Sequence, residues 1–224
     1  ELTAQIVRDQ PGEYHHWDDL RRRKPPKGLT VPEWWALSKL ARAAQSVELP
    51  LRAKAGNACT FSMHAGITEH CHRIDERLTA DYAKAIVPEH EQDRFSMAST
   101  LAESAMSSIL EGAETRRDTA VTMLRTGRKP ATTGERMVFG NFRAMQYVRE
   151  IASVRLESAH VLEIHRLATV DTLGAEDAGR FRRADEPVKV YDEENRVLHD
   201  PPHADELARR CESMCAFANG DTPK

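Results

Sequence analysis

The stretch Ser107-Ser108-Ile109-Leu110-Glu111-Gly112 sets one carboxylate at the end of a run of small and aliphatic residues. Just upstream, residues 95 to 105 read FSMASTLAESA, which is equally small and suited to close helix packing. A glutamate in the last turn of a helix faces the negative end of the helix dipole, unfavourable by about a few tenths of a kcal/mol. Two chemical readings follow. Glu111 is a solvated surface residue, with or without Arg116 or Arg117 as a partner, or it is a carboxylate aimed at an arginine as a movable latch. Bidentate pairing between guanidinium and carboxylate is strong and directional enough for a latch.

Other candidate groups are weaker. His64, His70, Cys71 and His72 cluster in HAGITEHCH, but their spacing fits no structural zinc pattern and no second ligand pair follows. The YHHW stretch at residues 14–17 is also a poor ligand set. Metal binding is therefore not expected. Neither a Walker-type nor a dinucleotide-type glycine loop occurs, and there is no G-x-S-x-G elbow. Generic motifs thus name no catalytic residue.

The elements that would carry Glu111 are mostly helices. Residues 11–30 are rich in Pro, Arg and Lys and read as irregular, anchored by Tyr14 and Trp17. Thr30 and Glu33 have capping-box spacing at the start of a helix bearing Trp34, Leu37, Leu40 and Ala41. A short extended or hairpin element is expected near 47–63, and HAGITEHCHRIDERL returns to helix. From about 89 to 113 a helix should present Met97, Leu101, Ala105 and Ile109 along one ridge. A short helix from Asp118 to Arg125 ends at TGRKP. The next should bury Met137, Val138, Phe142, Met145, Val148 and Ile151, and SAHVLEIHRLATV gives another. Val188 and Val190 alternate into a polar turn at Asp192–Asn195 and return through Val197, the pattern of a β-hairpin. A last amphipathic helix carries Ala204, Leu207, Ala208, Cys211, Met214, Cys215 and Ala218 on one stripe.

Composition bounds the function. The chain has 224 residues, 40% hydrophobic and 30% charged, enough for a real core. A net charge of −3 gives no electrostatic case for nucleic acid or an anionic membrane. The basic run LRRRKPPK at 20–27 reads as a solvated loop. No stretch approaches the roughly 20 apolar residues of a membrane span. There is no signal-peptide pattern and no initiator Met, so the natural chain is expected to begin earlier. Four cysteines make no disulfide scaffold; Cys211 and Cys215 share one helical face and read as buried free thiols in a reducing cytoplasm.

Ser107 to Gly112 fits the pattern Ser/Thr-x-x-x-Glu-Gly/Asn and resembles the inhibitory helix of the Fic family, enzymes that typically transfer AMP from ATP to a hydroxyl of a target protein. The rest of the chain supports this in order. GEYHHWDDLRRRKPPKGLTVPEWW resembles the N-terminal segment of one bacterial subgroup. SSILEGAETRRDTAVTMLRTGRKP and GERMVFGNFRAM follow as they do there. LEIHRLATVDTLGAEDAGRFRR resembles the first core helix and the A-G-x-[FY]-R turn, VKVYDEENRVLHDPP the flap hairpin, and ELARRCESMCAFAN the next core helix.

The resemblance implies a mainly α, Fic-like helical bundle, incomplete here, with a β-hairpin flap and an N-terminal helical extension. It implies an N-terminal region over 1–90, the inhibitory and connecting helices over 91–155, and half of the core with its flap over 156–224. Glu111 becomes the inhibitory glutamate, with Ser107 and Gly112 as its motif partners. It would engage the arginine that otherwise grips the ATP γ-phosphate. Val188, Lys189, Val190 and Tyr191 become the flap, which would hold a target segment bearing a Ser, Thr or Tyr hydroxyl by strand addition. ATP and Mg²⁺ are the implied cofactors of the complete protein, in the cytoplasm. Self-inhibited relatives often form dimers, so a homodimer is left open.

One departure is large. The family signature His-Pro-Phe-x-Asp-Gly-Asn-Gly-Arg, which supplies the general base, the metal ligand and the latch arginine, occurs nowhere in these residues. The chain is therefore expected to be the N-terminal portion of a larger protein, inactive alone and a poor binder of ATP and Mg²⁺. The alternative is a non-catalytic regulatory protein acting on a separate Fic partner.

Overall fold

The computed structural model describes residues 15–43, 46–63, 65–79, 86–169, 171–186 and 188–221. Tyr14 and His64 lie outside these residues. The described residues are mainly helical, with eight α-helices and two antiparallel two-stranded ribbons. The chain divides into two compact units, residues 1–87 and 88–224.

The first unit contains α1 (Trp17–Leu20), α2 (Val31–Ala43), β1 (Ser46–Arg52), β2 (Ala58–Ser62) and α3 (Ala65–Arg77). The expected capping box is present at the head of α2. Thr30 N–H donates to Glu33 Oε2 at 2.8 Å, and Glu33 N–H donates to Thr30 Oγ1 at 3.4 Å. Leu20 and Trp34 form a small core, with Leu29, Val31, Trp35 and Leu37 packed around it. Trp17 meets Trp35 at 5.8 Å between ring centroids, so Trp17 does anchor the chain before α2. The ribbon pairs Ser46 with Ser62 and Glu48 with Thr60, then shifts register before Arg52. Pro50 lies inside the shifted stretch and has no N–H to give to the ladder, which accounts for the irregularity.

The second unit contains α4 (Gln92–Leu110), α5 (Arg117–Thr126), α6 (Thr133–Glu150), α7 (Ser158–Thr169), β3 (Val190–Tyr191), β4 (Val197–His199) and α8 (Leu207–Ala218). Helix α6 is central, packing against both α4 and α7, while α8 rests on α7. Ala105, Ala113, Ala120, Met123 and Val138 form the core between α4, α5 and α6. Two glycines let α6 approach its neighbours. A Cβ at Gly134 would come within 2.7 Å of the Glu114 backbone, and one at Gly140 within 2.7 Å of the Ala168 carbonyl oxygen. Neither contact could be relieved by moving a side chain.

The buried faces differ from those expected from the large apolar residues. On α4 the buried residues are Ser104, Ala105 and Ser108, whereas Met97 is 46% exposed. On α6 they are Gly134, Glu135, Val138, Gly140 and Ala144, whereas Val148 is 45% exposed. The cause is the close approach of α4, α6 and α7, which selects small side chains over long ones. Burying serine hydroxyls costs little here because each donates one turn back: Ser104 Oγ to Thr100 O at 2.7 Å, and Ser108 Oγ to Ser104 O at 2.8 Å. On α8 only Cys211 and Cys215 of the expected stripe are buried, and Ala208, Met214 and Ala218 are exposed.

Candidate functional site

The end of α4 is locked by its own backbone. Glu111 N–H donates to Ser107 O at 3.1 Å, Gly112 N–H to Ile109 O at 3.1 Å, and Ala113 N–H to Ser108 O at 2.8 Å. The last two bonds are the pair that defines a Schellman termination, and Gly112 takes the left-handed conformation it needs, at φ +92°. Ala113 then drops into the core. Gly112 thus has a local physical reason to follow Glu111 whatever Glu111 does.

A second set of bonds fixes the last turn against α6. Asn141 Nδ2 donates to Ser104 O at 3.3 Å and to Ser108 Oγ at 3.2 Å. The hydroxyl held in place is that of Ser108, while Ser107 is half-buried and contributes its carbonyl. Beyond the turn, the Glu114 backbone lies against Gly134. The position of the Glu111 backbone is therefore set on three sides.

The Glu111 side chain is exposed, and among the described residues it makes no ion pair or hydrogen bond. Arg116 and Arg117, the nearby cations in the chain, are also exposed and pair with no acid among the described residues. No ion pair with Arg116 or Arg117 forms among the described residues, and an exposed, unpaired carboxylate is what the solvated-surface reading of Glu111 expects. Glu111 thus has a fixed backbone at the unfavourable end of a helix dipole and an exposed carboxylate without a partner among the described residues.

Two buried or half-buried ion pairs stabilise the frame, and the sequence reading missed both. Arg128 forks onto Glu135, with Nη1 to Oε2 at 3.1 Å and Nη2 to Oε1 at 2.6 Å, while Ala131 N–H donates to Glu135 Oε2 at 2.7 Å. The Arg128 guanidinium first, and the Ala131 N–H second, lower the Glu135 carboxyl to a pKa of about 2. This pins the loop between α5 and α6. The signal was in the sequence: Thr132-x-x-Glu135 has capping-box spacing, and Glu135 N–H donates to Thr132 Oγ1 at 3.1 Å.

The second pair lies after α7. Arg180 donates to both oxygens of Glu186, at 2.7 and 2.8 Å, and also pairs with Asp177. The guanidinium lowers the Glu186 carboxyl to about 2. His165 Nδ1 accepts from Gly179 N–H at 2.9 Å, tying the turn Ala178 to Arg182 back to α7. From this fixed turn the chain leads to the hairpin.

The hairpin forms where expected, though its strands are short. Val190 pairs with His199 and Tyr191 with Val197. The turn is built on Asp192, whose Oδ1 accepts from Glu194 N–H at 3.0 Å and Arg196 N–H at 2.7 Å. Val188, Lys189, Val190 and Tyr191 are all exposed, and Lys189 Nζ lies 3.5 Å from Asp200 Oδ1. Each strand has one neighbour only, so the outer edge of β3 is unpaired among the described residues. No hydrogen bond or ion pair among the described residues joins Ser107, Glu111 or Gly112 to the hairpin.

His70, Cys71 and His72 are exposed along α3, and no group of three or more metal-ligating side chains gathers among the described residues. Cys211 and Cys215 are free and buried, and desolvation pushes the Cys215 thiol up. No helix among the described residues is long and apolar enough to cross a membrane. No protein-family model, no curated protein and no solved structure matches the chain.

Proposed function

We propose that these residues are the self-inhibiting, flap-bearing portion of a Fic-type protein adenylyltransferase, with Glu111 as the inhibitory carboxylate. In the reaction, a Ser, Thr or Tyr hydroxyl oxygen of a target protein attacks the α-phosphorus of ATP. The bond to the β-phosphate breaks and pyrophosphate leaves. The catalytic base and the phosphate-gripping arginine belong to the motif His-Pro-Phe-x-Asp-Gly-Asn-Gly-Arg, which these residues do not include. ATP and Mg²⁺ are accordingly cofactors of the complete protein, and the cytoplasm is where ATP and such targets meet.

The observation that carries the proposal is the state of Glu111: backbone fixed, side chain exposed, and no partner among the described residues. A carboxylate in that state is available to a guanidinium from elsewhere. Phosphoryl-type transfer depends on positioning and charge, so occupying the arginine that holds the γ-phosphate misplaces ATP and blocks turnover. The exposed edge of β3, around Val188, Lys189, Val190 and Tyr191, suits the holding of an extended target segment by strand addition.

The test is transfer of label from ATP carrying radioactive α-phosphate, comparing the complete protein with its Glu111→Gly variant. The variant should transfer AMP faster by on the order of a hundredfold, the cost typical of a misplaced reacting group. Equal rates would contradict the assignment. Residues 1–224 alone should transfer no AMP and show little or no calorimetric binding of ATP with Mg²⁺.

A further inference from the structure

The first unit holds a cavity. Helix α2 ends at Ala43, the ribbon of β1 and β2 doubles back beside it, and α3 starts at Ala65. Ser62 Oγ donates to Arg42 O at 3.2 Å, which ties the end of the ribbon to the end of α2. Residues of all three elements enclose a space of about 670 Å³. That volume is in the range of small-molecule sites.

The wall combines two kinds of side chain. Trp35, Phe61 and Ile67 supply apolar surface, with Phe61 at 42% and Ile67 at 38% exposure. Lys39 and Arg42 supply positive charge from the same face of α2 as Trp35, and Thr60 adds a hydroxyl. No acid lines the cavity among the described residues; Glu48, paired with Thr60 across the ribbon, is not part of the wall. Arg42 is held in place, since its Nη2 donates to His15 O at 3.2 Å and its guanidinium lies 5.6 Å from the Trp35 ring centroid. Lys39 is exposed and makes no ion pair or hydrogen bond among the described residues. Cations in the last turn of a helix are common because they complement its dipole. These two also open on a cavity with aromatic walls and no acid to neutralise them. A neutral apolar ligand would leave both charges facing it, and an inorganic anion would leave the rings wet.

We propose that this cavity binds an aromatic carboxylate of one or two rings. The rings lie against Trp35, Phe61 and Ile67, and the carboxylate meets Lys39 Nζ with the Arg42 guanidinium and the Thr60 hydroxyl beside it. The site needs neither Glu111 nor ATP.

The experiment is calorimetric titration of the chain with naphthalene carboxylate, beside its neutral isostere naphthalene carboxamide. The carboxylate should bind with a Kd on the order of 0.1 mM, and the carboxamide about tenfold more weakly. Lys39→Met should weaken the carboxylate by about tenfold and leave the carboxamide unchanged. Lys27→Met removes the same charge from an exposed position outside the cavity and should change neither ligand. Phe61→Ser should weaken both. Lys39 and Lys27 are exposed, and an unchanged near-ultraviolet signal from the buried Trp34 would confirm that the variants fold. No heat at millimolar carboxylate, or equal affinity for carboxylate and carboxamide, would overturn the proposal. So would a Lys39→Met variant that binds the carboxylate like wild type, or a Lys27→Met variant that weakens it equally.

Discussion

At the end of α4, backbone hydrogen bonds and a neighbouring asparagine fix the backbone of Glu111, whose carboxylate binds nothing among the described residues. Gly112→Ala should destabilise that helix end. It forces a Cβ into the left-handed region at φ +92°, at about 1–2 kcal/mol, without meeting any neighbouring atom. Chemical denaturation should register that loss. Asn141→Ala removes two hydrogen bonds to the Ser104 carbonyl and the Ser108 hydroxyl, and should cost about 1–2 kcal/mol by the same measurement. Glu111→Gln should leave stability unchanged or slightly raised, because it removes a negative charge from the negative end of a helix dipole. A marked loss of stability in Glu111→Gln would mean that the carboxylate has a structural partner.

Among the elements, the loop between α5 and α6 has the clearest pH signature. The Glu135 carboxyl titrates near pH 2 in the folded protein, held down by Arg128 and the Ala131 N–H. A carboxyl depressed on folding contributes stability that is present above its unfolded pKa of about 4.5 and is lost as pH falls through the folded value. Wild type should therefore lose more stability between about pH 4.5 and 2 than Glu135→Gln, with the two melting curves converging at the acid end. Glu186 titrates in the same window through Arg180, so the variant keeps part of the acid sensitivity. Parallel curves for the two proteins would contradict this role.

The same elements separate what the sequence could reveal from what it could not. Helix positions, the Thr30–Glu33 capping box and the Asp192 turn were readable because each has a local signature in spacing or residue type. The buried face of α4 was not. Met97 outranks Ser104 in hydrophobicity, yet the close approach to α6 favours the serine, whose hydroxyl is satisfied one turn back. The fork between Arg128 and Glu135 was missed because charged residues are ordinarily exposed, and here burial depends on three-dimensional pairing. At the candidate site, the position of Glu111 at a helix end was legible, as was the hairpin. The part played by Asn141 was not, since it lies more than thirty positions along the chain, on another helix.

For the whole molecule, the division at residue 87 leads to the prediction that residues 88–224 fold by themselves. That fragment should keep a helical spectrum and a cooperative melt; a fragment without either would mean that its core needs the first unit. Within it, α6 holds the end of α4 on one side and α7 on the other. The proposed role of Glu111 is to restrain AMP transfer by occupying a guanidinium needed for ATP. The decisive measurement is labelled AMP transfer by the complete protein, with and without Glu111→Gly. The variant should be faster by on the order of a hundredfold. An unchanged or lower rate, with folding intact, would contradict it.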